Sequence, residues 1–409
     1  MKRKMIYKLI AAIMVIAMVI MVSGSARDTA VAETAYTGSA PVFSAGELFT
    51  ERDMEQDPDL SGAVYYTVAD GTDIHITDKG IYVISGTARN VTVYVEAADD
   101  AKVQLVLDGT NITTANFPCI YVKTGDKVFI TTVRDSSLSV TGTFAMDGST
   151  KTDGVIFSKQ DLTLNGTAAL TVSSTYNGIV CKDDLKVTGG TYAVTATSKA
   201  IQANDSIRIS DGTFYLTAGT DGLHSENDED DSKGYIYIGG GTFTIRAGDD
   251  GIRAQTVVQI DGGDIYITAG EGIEGTYIQL NDGTVYIQAT DDGINGANKS
   301  KAYSVMIIIN GGDITVVMGS GDTDGIDSNG DIIVNGGTIN VTGNSTFDYD
   351  GIAQYNGGTI IVNGQQISYI PNQMMGGGMF GWGGNQSGWP NQGGWSGQGG
   401  YGSRGGRGR

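Results

Sequence analysis

From about residue 64 onward, apolar and polar residues alternate in short runs. The series opens with Ile74-His75-Ile76, Ile81-Tyr82-Val83-Ile84, Val91-Thr92-Val93-Tyr94-Val95, Val103-Gln104-Leu105-Val106-Leu107 and Val128-Phe129-Ile130. It continues with runs such as Phe214-Tyr215-Leu216-Thr217-Ala218 and Ile265-Tyr266-Ile267-Thr268-Ala269. A period of two predicts β-strands with one buried face. Helical periodicity is absent, which excludes leucine-rich and other helix-containing repeats. Gly190, Gly212, Gly241, Gly263, Gly283, Gly312 and Gly337 each separate two such strands.

A second signal repeats about every 22 residues, an acidic residue, a glycine and an aliphatic. It reads Asp153-Gly154-Val155, Asp221-Gly222-Leu223, Asp250-Gly251-Ile252, Glu271-Gly272-Ile273, Asp292-Gly293-Ile294, Asp324-Gly325-Ile326 and Asp350-Gly351-Ile352. Asn177-Gly178-Ile179 is a variant, and Lys199-Ala200-Ile201 keeps the register without an acid. Three short strands and three turns per repeat predict an all-β fold, a right-handed three-sided parallel β-helix. Residues 64–150 are expected to form irregular N-terminal coils and a cap, and 151–370 the regular coils. Two coils carry insertions, at 226–233 and 298–303, expected as loops on one face.

Stacking brings equivalent residues to about 4.8 Å from each other. Asp221, Asp250, Glu271, Asp292, Asp324 and Asp350 then form one column, with Asp249 and Asp291 beside it and Glu274, Asn295 and Asp327 just past the aliphatic. Two like charges at that spacing repel by about 1 kcal/mol in water and about 3 to 4 kcal/mol at an effective dielectric near 20. Either the side chains splay, or some are protonated, or cations lie between them. All the donors are oxygens, as Ca²⁺ prefers. The candidate ligands are Asp221, Asp249, Asp250, Glu271, Glu274, Asp291, Asp292, Asn295, Asp322, Asp324 and Asp327. The plainer alternative is that Asp-Gly is good turn chemistry.

The formal net charge of −20 disfavours nucleic acid and anionic lipid and favours cations. Lys2, Arg3 and Lys4 precede an apolar run over 9–22 and then Gly24-Ser25-Ala26, which predicts a secretory signal peptide over 1–26; an uncleaved anchor is the alternative. Residues 27–63 are polar and aperiodic and are expected as a linker. The Gly-rich stretch 371–409, with Trp382, Trp389 and Trp395 and a basic end, is expected to be disordered. Cys119 and Cys181 are expected as buried thiols.

Tyr215, Tyr266 and Tyr286 take the same outward position on their strands, with Thr244 between the first two. Outward rings suit stacking on sugars; simple β-propensity explains them equally well. Catalytic signals are thin. Lys182, Lys199, Lys233, Lys299 and Lys301 lie near the acidic turns without a motif and read as surface lysines, as His224 reads as a surface histidine.

Gly248-Asp249-Asp250-Gly251-Ile252, Gly270-Glu271-Gly272-Ile273-Glu274-Gly275 and Thr290-Asp291-Asp292-Gly293-Ile294-Asn295, together with 99–107 and the Met/Gly-rich C-terminal stretch, resemble a known family. It is the bacterial family of secreted, polysaccharide-lyase-like β-helices that bind carbohydrate. The resemblance spans roughly residues 65–378. It implies calcium at the acidic turns, with Asp249, Asp250, Glu271, Glu274, Asp291, Asp292 and Asn295 as ligands. It also implies binding of cellulose or polygalacturonate by a monomeric, secreted or cell-surface protein without established lyase activity. The Lys199-Ala200 coil departs from the pattern. A calcium-dependent pectate lyase and a structural adhesin are the rival readings.

Overall fold

The computed structural model describes residues 42–320 and 323–372. They form strands almost throughout; the one α-helix among them is Ala45–Leu48. The strands run in long parallel ladders in which each regular strand bonds to the one three places later. Thus Thr213–Ala218 pairs with Thr242–Ala247, and that with Asp264–Ala269. The antiparallel strand pair among the described residues, Thr359–Val362 with Gln365–Ile367, closes the C-terminal end. The ladders group into a 12-stranded and a 24-stranded sheet. Two of the three strands in each repeat belong to the larger sheet, because Gly80–Arg89 and Lys102–Thr114 are long enough to bend from one ladder into the next. Gly86, at the register shift in the first of them, takes φ +99°. These two strands lie within residues 64–150.

The alternation in sequence becomes columns in space. Ile201, Leu223, Ile252, Ile273, Ile294, Ile326 and Phe347 stack in register, all inaccessible to solvent. Tyr192, Phe214 and Phe243 stack with centroids 5.4 and 4.5 Å apart. Cys181 stacks on Ala203 in the same interior, and both cysteines are free and buried, as expected. At the turn between the two larger-sheet strands, Gly241, Gly263 and Gly283 have φ of +101°, +100° and +103°. A Cβ on Gly263 would stand 2.9 Å from the Gly241 carbonyl oxygen, so this turn demands glycine twice over, by conformation and by space.

Residues 42–60, expected as part of a linker, instead pack as a strap across the outward side of the larger sheet. The Phe43 ring stacks on Tyr235 at 4.3 Å, and its backbone exchanges two hydrogen bonds with the Gln259 amide (2.8 and 2.9 Å). Asp53 is wholly buried between Lys127 Nζ (2.5 Å) and Lys186 Nζ (3.0 Å) and also accepts from Thr163 Oγ1 (3.0 Å). Burial opposes its ionisation, but the lysines and the Thr50 amide hold its carboxyl well below the usual range. The linker reading fails here because a polar, aperiodic segment can still be specified by one buried charge and its partners. The proposed signal peptide, linker residues 27–41 and 373–409 lie outside the described residues. Among the described residues no helix is long and apolar enough to cross a membrane.

Candidate metal centre and outward columns

Each acidic turn from Asp221 to Asp324 opens a strand of the 12-stranded sheet, so the ladder itself spaces the carboxylates. Asp250 is in register with Glu271. Backbone bonds continue the series, with Gly222 N donating to Asp250 O, Gly272 N to Asp292 O and Gly293 N to Asp324 O, each at 2.9 Å. The glycine after the acid is needed for close approach, since a Cβ on Gly272 would lie 2.3 Å from Gly293 O and 2.5 Å from Ile287 Cγ2. Two residues further on, a second column runs His224, Arg253, Glu274, Asn295, Asp327 and Asp348.

Carboxylate oxygens of Asp221, Asp249 and Asp250 lie within 4.8 Å of one another, and so do those of Asp250, Glu271 and Glu274. Asp221, Asp250 and Glu274 are buried, Glu271 is half-buried, and Asp249 is exposed. Burial, then Glu274, Glu271, Asp221 and Asp249, push Asp250 up to about 8. Burial and Glu274, with Asp292 and Asp291, raise Glu271 to about 7 although Asn295 Nδ2 donates to it at 3.0 Å. Burial and facing acids likewise raise Asp292 to about 7 and Asp327 to about 6. The donor set fits a hard cation. It is all oxygen, it crowds charge that burial penalises, and Asn295 Oδ1 is buried without a hydrogen-bond partner among the described residues.

The column also carries basic side chains, whose contacts with the acids the sequence reading missed. His224 is buried, not a surface residue; its Nδ1 is 2.7 Å from Asp221 and its Nε2 is 3.0 Å from Glu226. Burial opposes ionisation of Asp221, but His224 and Lys199 (3.4 Å) hold its carboxyl below the usual range. Arg253 reaches Asp250 at 3.6 Å and Glu274 at 3.3 Å, and Lys299 reaches Glu274 at 2.7 Å. Arg253 was legible in principle, since it holds the position of Glu274 one repeat earlier. Asp291 is exposed beside half-buried Asp292; Asp324 and Asp327 share one strand a repeat further on, and Asp322 lies outside the described residues. Asp350 does not join the column. Ser345 holds that register opposite Asp324, because Phe347 rather than Ile352 fills the core behind it, and Ile352 is exposed.

The expected tyrosine column forms. Tyr215, Thr244, Tyr266 and Tyr286 are in consecutive register, and the three rings are 54, 48 and 36% exposed. Tyr266 and Tyr286 lie 6.3 Å apart between centroids. The two inserted loops meet, with Ser300 Oγ donating to Asp231 O at 2.6 Å.

A family model described as carbohydrate-binding domain-containing protein matches residues 70–276. A carbohydrate-binding domain-containing protein of Acetivibrio thermocellus is 36% identical over 129 residues, 30% of this chain and 45% of that protein. The chain thus spans less than half the length of this relative. A solved structure, the gadolinium derivative of a polysaccharide lyase-like protein from C. thermocellum, is similar with a TM-score of 0.50 at 32% identity, covering 52% of this chain and 93% of the other.

Proposed function

Because the chain belongs to the carbohydrate-binding domain-containing family, whose model covers half of it, we propose that it is a secreted, calcium-binding protein that holds plant cell-wall polysaccharide, cellulose or polygalacturonate, without cleaving it. The ladder of three strands per repeat is read as a right-handed, three-sided parallel β-helix. The calcium reading is carried by one observation, the two carboxylate sets that share Asp250. Asp221, Asp249, Asp250, Glu271 and Glu274 would hold one or more ions, and Asn295 Oδ1 offers a neutral donor. Asp291, Asp292, Asp324 and Asp327 would extend the site along the stack. A bound divalent ion supplies positive charge that can meet a uronate carboxylate. The similar structure is a gadolinium derivative, and gadolinium is a hard cation, which supports the same preference here.

Tyr215, Tyr266 and Tyr286 offer exposed rings on a flat strand ladder, the surface a sugar chain can stack against. Lys199 and Lys299, the lysines nearest the acids, are held in ion pairs at 3.4 and 2.7 Å, which supports binding without proton abstraction. Affinity electrophoresis in polygalacturonate gels and pull-down on cellulose, each with calcium and with chelator, test the proposal. Retention on at least one glycan without release of unsaturated products is the expected result. Steady product formation at catalytic protein levels would establish a lyase instead, and no retention on any glycan would leave a structural protein.

A further inference from the structure

The same physical argument that places cations on the acidic column applies, with its sign reversed, to three lysines lower on the 12-stranded sheet. Val122, Ser158 and Cys181 are in register on successive strands. The residue after each is a lysine, and the ladder continues through it, with Lys159 N donating to Val122 O at 3.0 Å and Lys182 N to Ser158 O at 2.8 Å. Lys123, Lys159 and Lys182 therefore form a column with a spacing of about 4.8 Å. Lys123 is neutralised by Glu96 at 3.0 Å and Asp147 at 3.4 Å. Among the described residues, no carboxylate stands within ion-pair distance of Lys159 or Lys182; Lys159 Nζ donates only to Thr150 Oγ1, at 2.8 Å. In a chain of net charge −20, adjacent ammonium groups without carboxylate partners are unexpected.

They line a cavity of about 370 Å³, whose wall also includes Lys151, Tyr176, Lys199 and Gln202. Lys151 Nζ lies 4.8 Å over the Tyr176 ring and 3.3 Å from Asp153. Tyr176 is exposed and borders a second cavity of about 470 Å³, lined in part by Phe144 and Met146. The two cavities share Lys151, Asp153 and Tyr176 in their walls; the first is lined mainly by lysines and amides, and the second adds Phe144 and Met146. Lys199 of the first cavity pairs with Asp221, the first member of the carboxylate sets.

We propose that this lysine-lined cleft is a binding site for a carboxylated glycan, a polyuronate chain. Lys159 and Lys182 take its carboxylates, Gln202 its hydroxyls, and the Tyr176 ring the apolar face of a sugar. The proposal rests on the carbohydrate-binding reading and adds to it the place where a polyuronate is held and the side chains that hold it. A polyanion approaching so acidic a protein needs local positive ground, and the cleft supplies it without metal. A chain lying along the stack would then pass from the lysines to the acidic turns, where bound cations could meet further carboxylates.

The test compares wild type, Lys159→Gln/Lys182→Gln and Lys159→Arg/Lys182→Arg by affinity electrophoresis in polygalacturonate, in calcium and in chelator, with cellulose pull-down alongside. The glutamine pair should lose at least tenfold in polygalacturonate affinity under both conditions and keep wild-type melting and wild-type cellulose retention. The arginine pair should retain most of the affinity. Unchanged retention of the glutamine pair, or equal competition by poly-glutamate, would overturn the cleft as a glycan site while leaving carbohydrate binding intact. Wild type that binds cellulose but not polygalacturonate would do the same, and wild type that binds neither would overturn both.

Discussion

Asp53 is buried with an ammonium group on each carboxylate oxygen, Lys127 and Lys186. Removing one member of a buried charge cluster strands the others, at a cost of about 3 kcal/mol or more. Asp53→Asn should therefore lower unfolding free energy by about 3 kcal/mol in denaturant titration, without changing glycan retention. Its carboxyl is held below the ordinary 3.8, so the contribution is present above that value and fades as pH falls below it. The gap between wild type and Asp53→Asn should be constant from pH 5 to 8 and narrow in acid. A gap that is equally wide at pH 2.5 would contradict this assignment. Gly263→Ala places a Cβ at φ +100° and 2.9 Å from Gly241 O, whereas Gly46→Ala meets nothing within 4 Å. The first should cost about 1 to 3 kcal/mol and the second should be near neutral; equal melting temperatures for the two would refute the packing argument.

The acidic column is an element-scale property, since no single turn creates it. Asp250, Glu271, Asp292 and Asp327 carry carboxyls raised to about 8, 7, 7 and 6. A carboxyl raised in the folded state binds its proton more tightly there than when unfolded. Metal-free protein should thus gain stability as pH falls from 8 toward 5, the gain being complete near the unfolded values of about 4. Saturating calcium should flatten that dependence. Thermal melts in chelator across this range decide it, and a chelated protein that is most stable at pH 8 would exclude the crowding described here. Asp250→Asn/Glu271→Gln should remove most of the pH slope and the calcium response together. Tyr266→Ala/Tyr286→Ala, on another face, should weaken glycan retention about tenfold, equivalent to about 1.4 kcal/mol, and leave the calcium response untouched.

Over the whole molecule, what the sequence disclosed is what repeats. Aliphatic, glycine and acidic columns were legible because stacking converts period into alignment, and the structure aligns Asp250 with Glu271 and Tyr266 with Tyr286. Single departures were not legible. Asp350-Gly351-Ile352 matches the motif in letters, but the register follows core filling, and Phe347 wins. His224 and Arg253 hold acid-column positions with basic side chains, a difference visible only once the column is drawn across rungs. The strap over 42–60 has no period, and its Asp53 finds partners 74 and 133 residues away. Lys182 read as a surface lysine because its column partners were not aligned with it: Lys123 precedes the regular coils, and Lys159 lies in the first of them, away from the acidic turns.

These scales meet in the claim that cations complete a stack whose carboxylates repel. Differential scanning calorimetry of the folded protein at pH 8, in chelator and then at a calcium concentration about a hundredfold above its dissociation constant, tests it most directly. Binding to the folded state alone should add about 2.7 kcal/mol, read as a melting temperature several degrees higher. Superimposable melts in chelator and calcium would contradict the account.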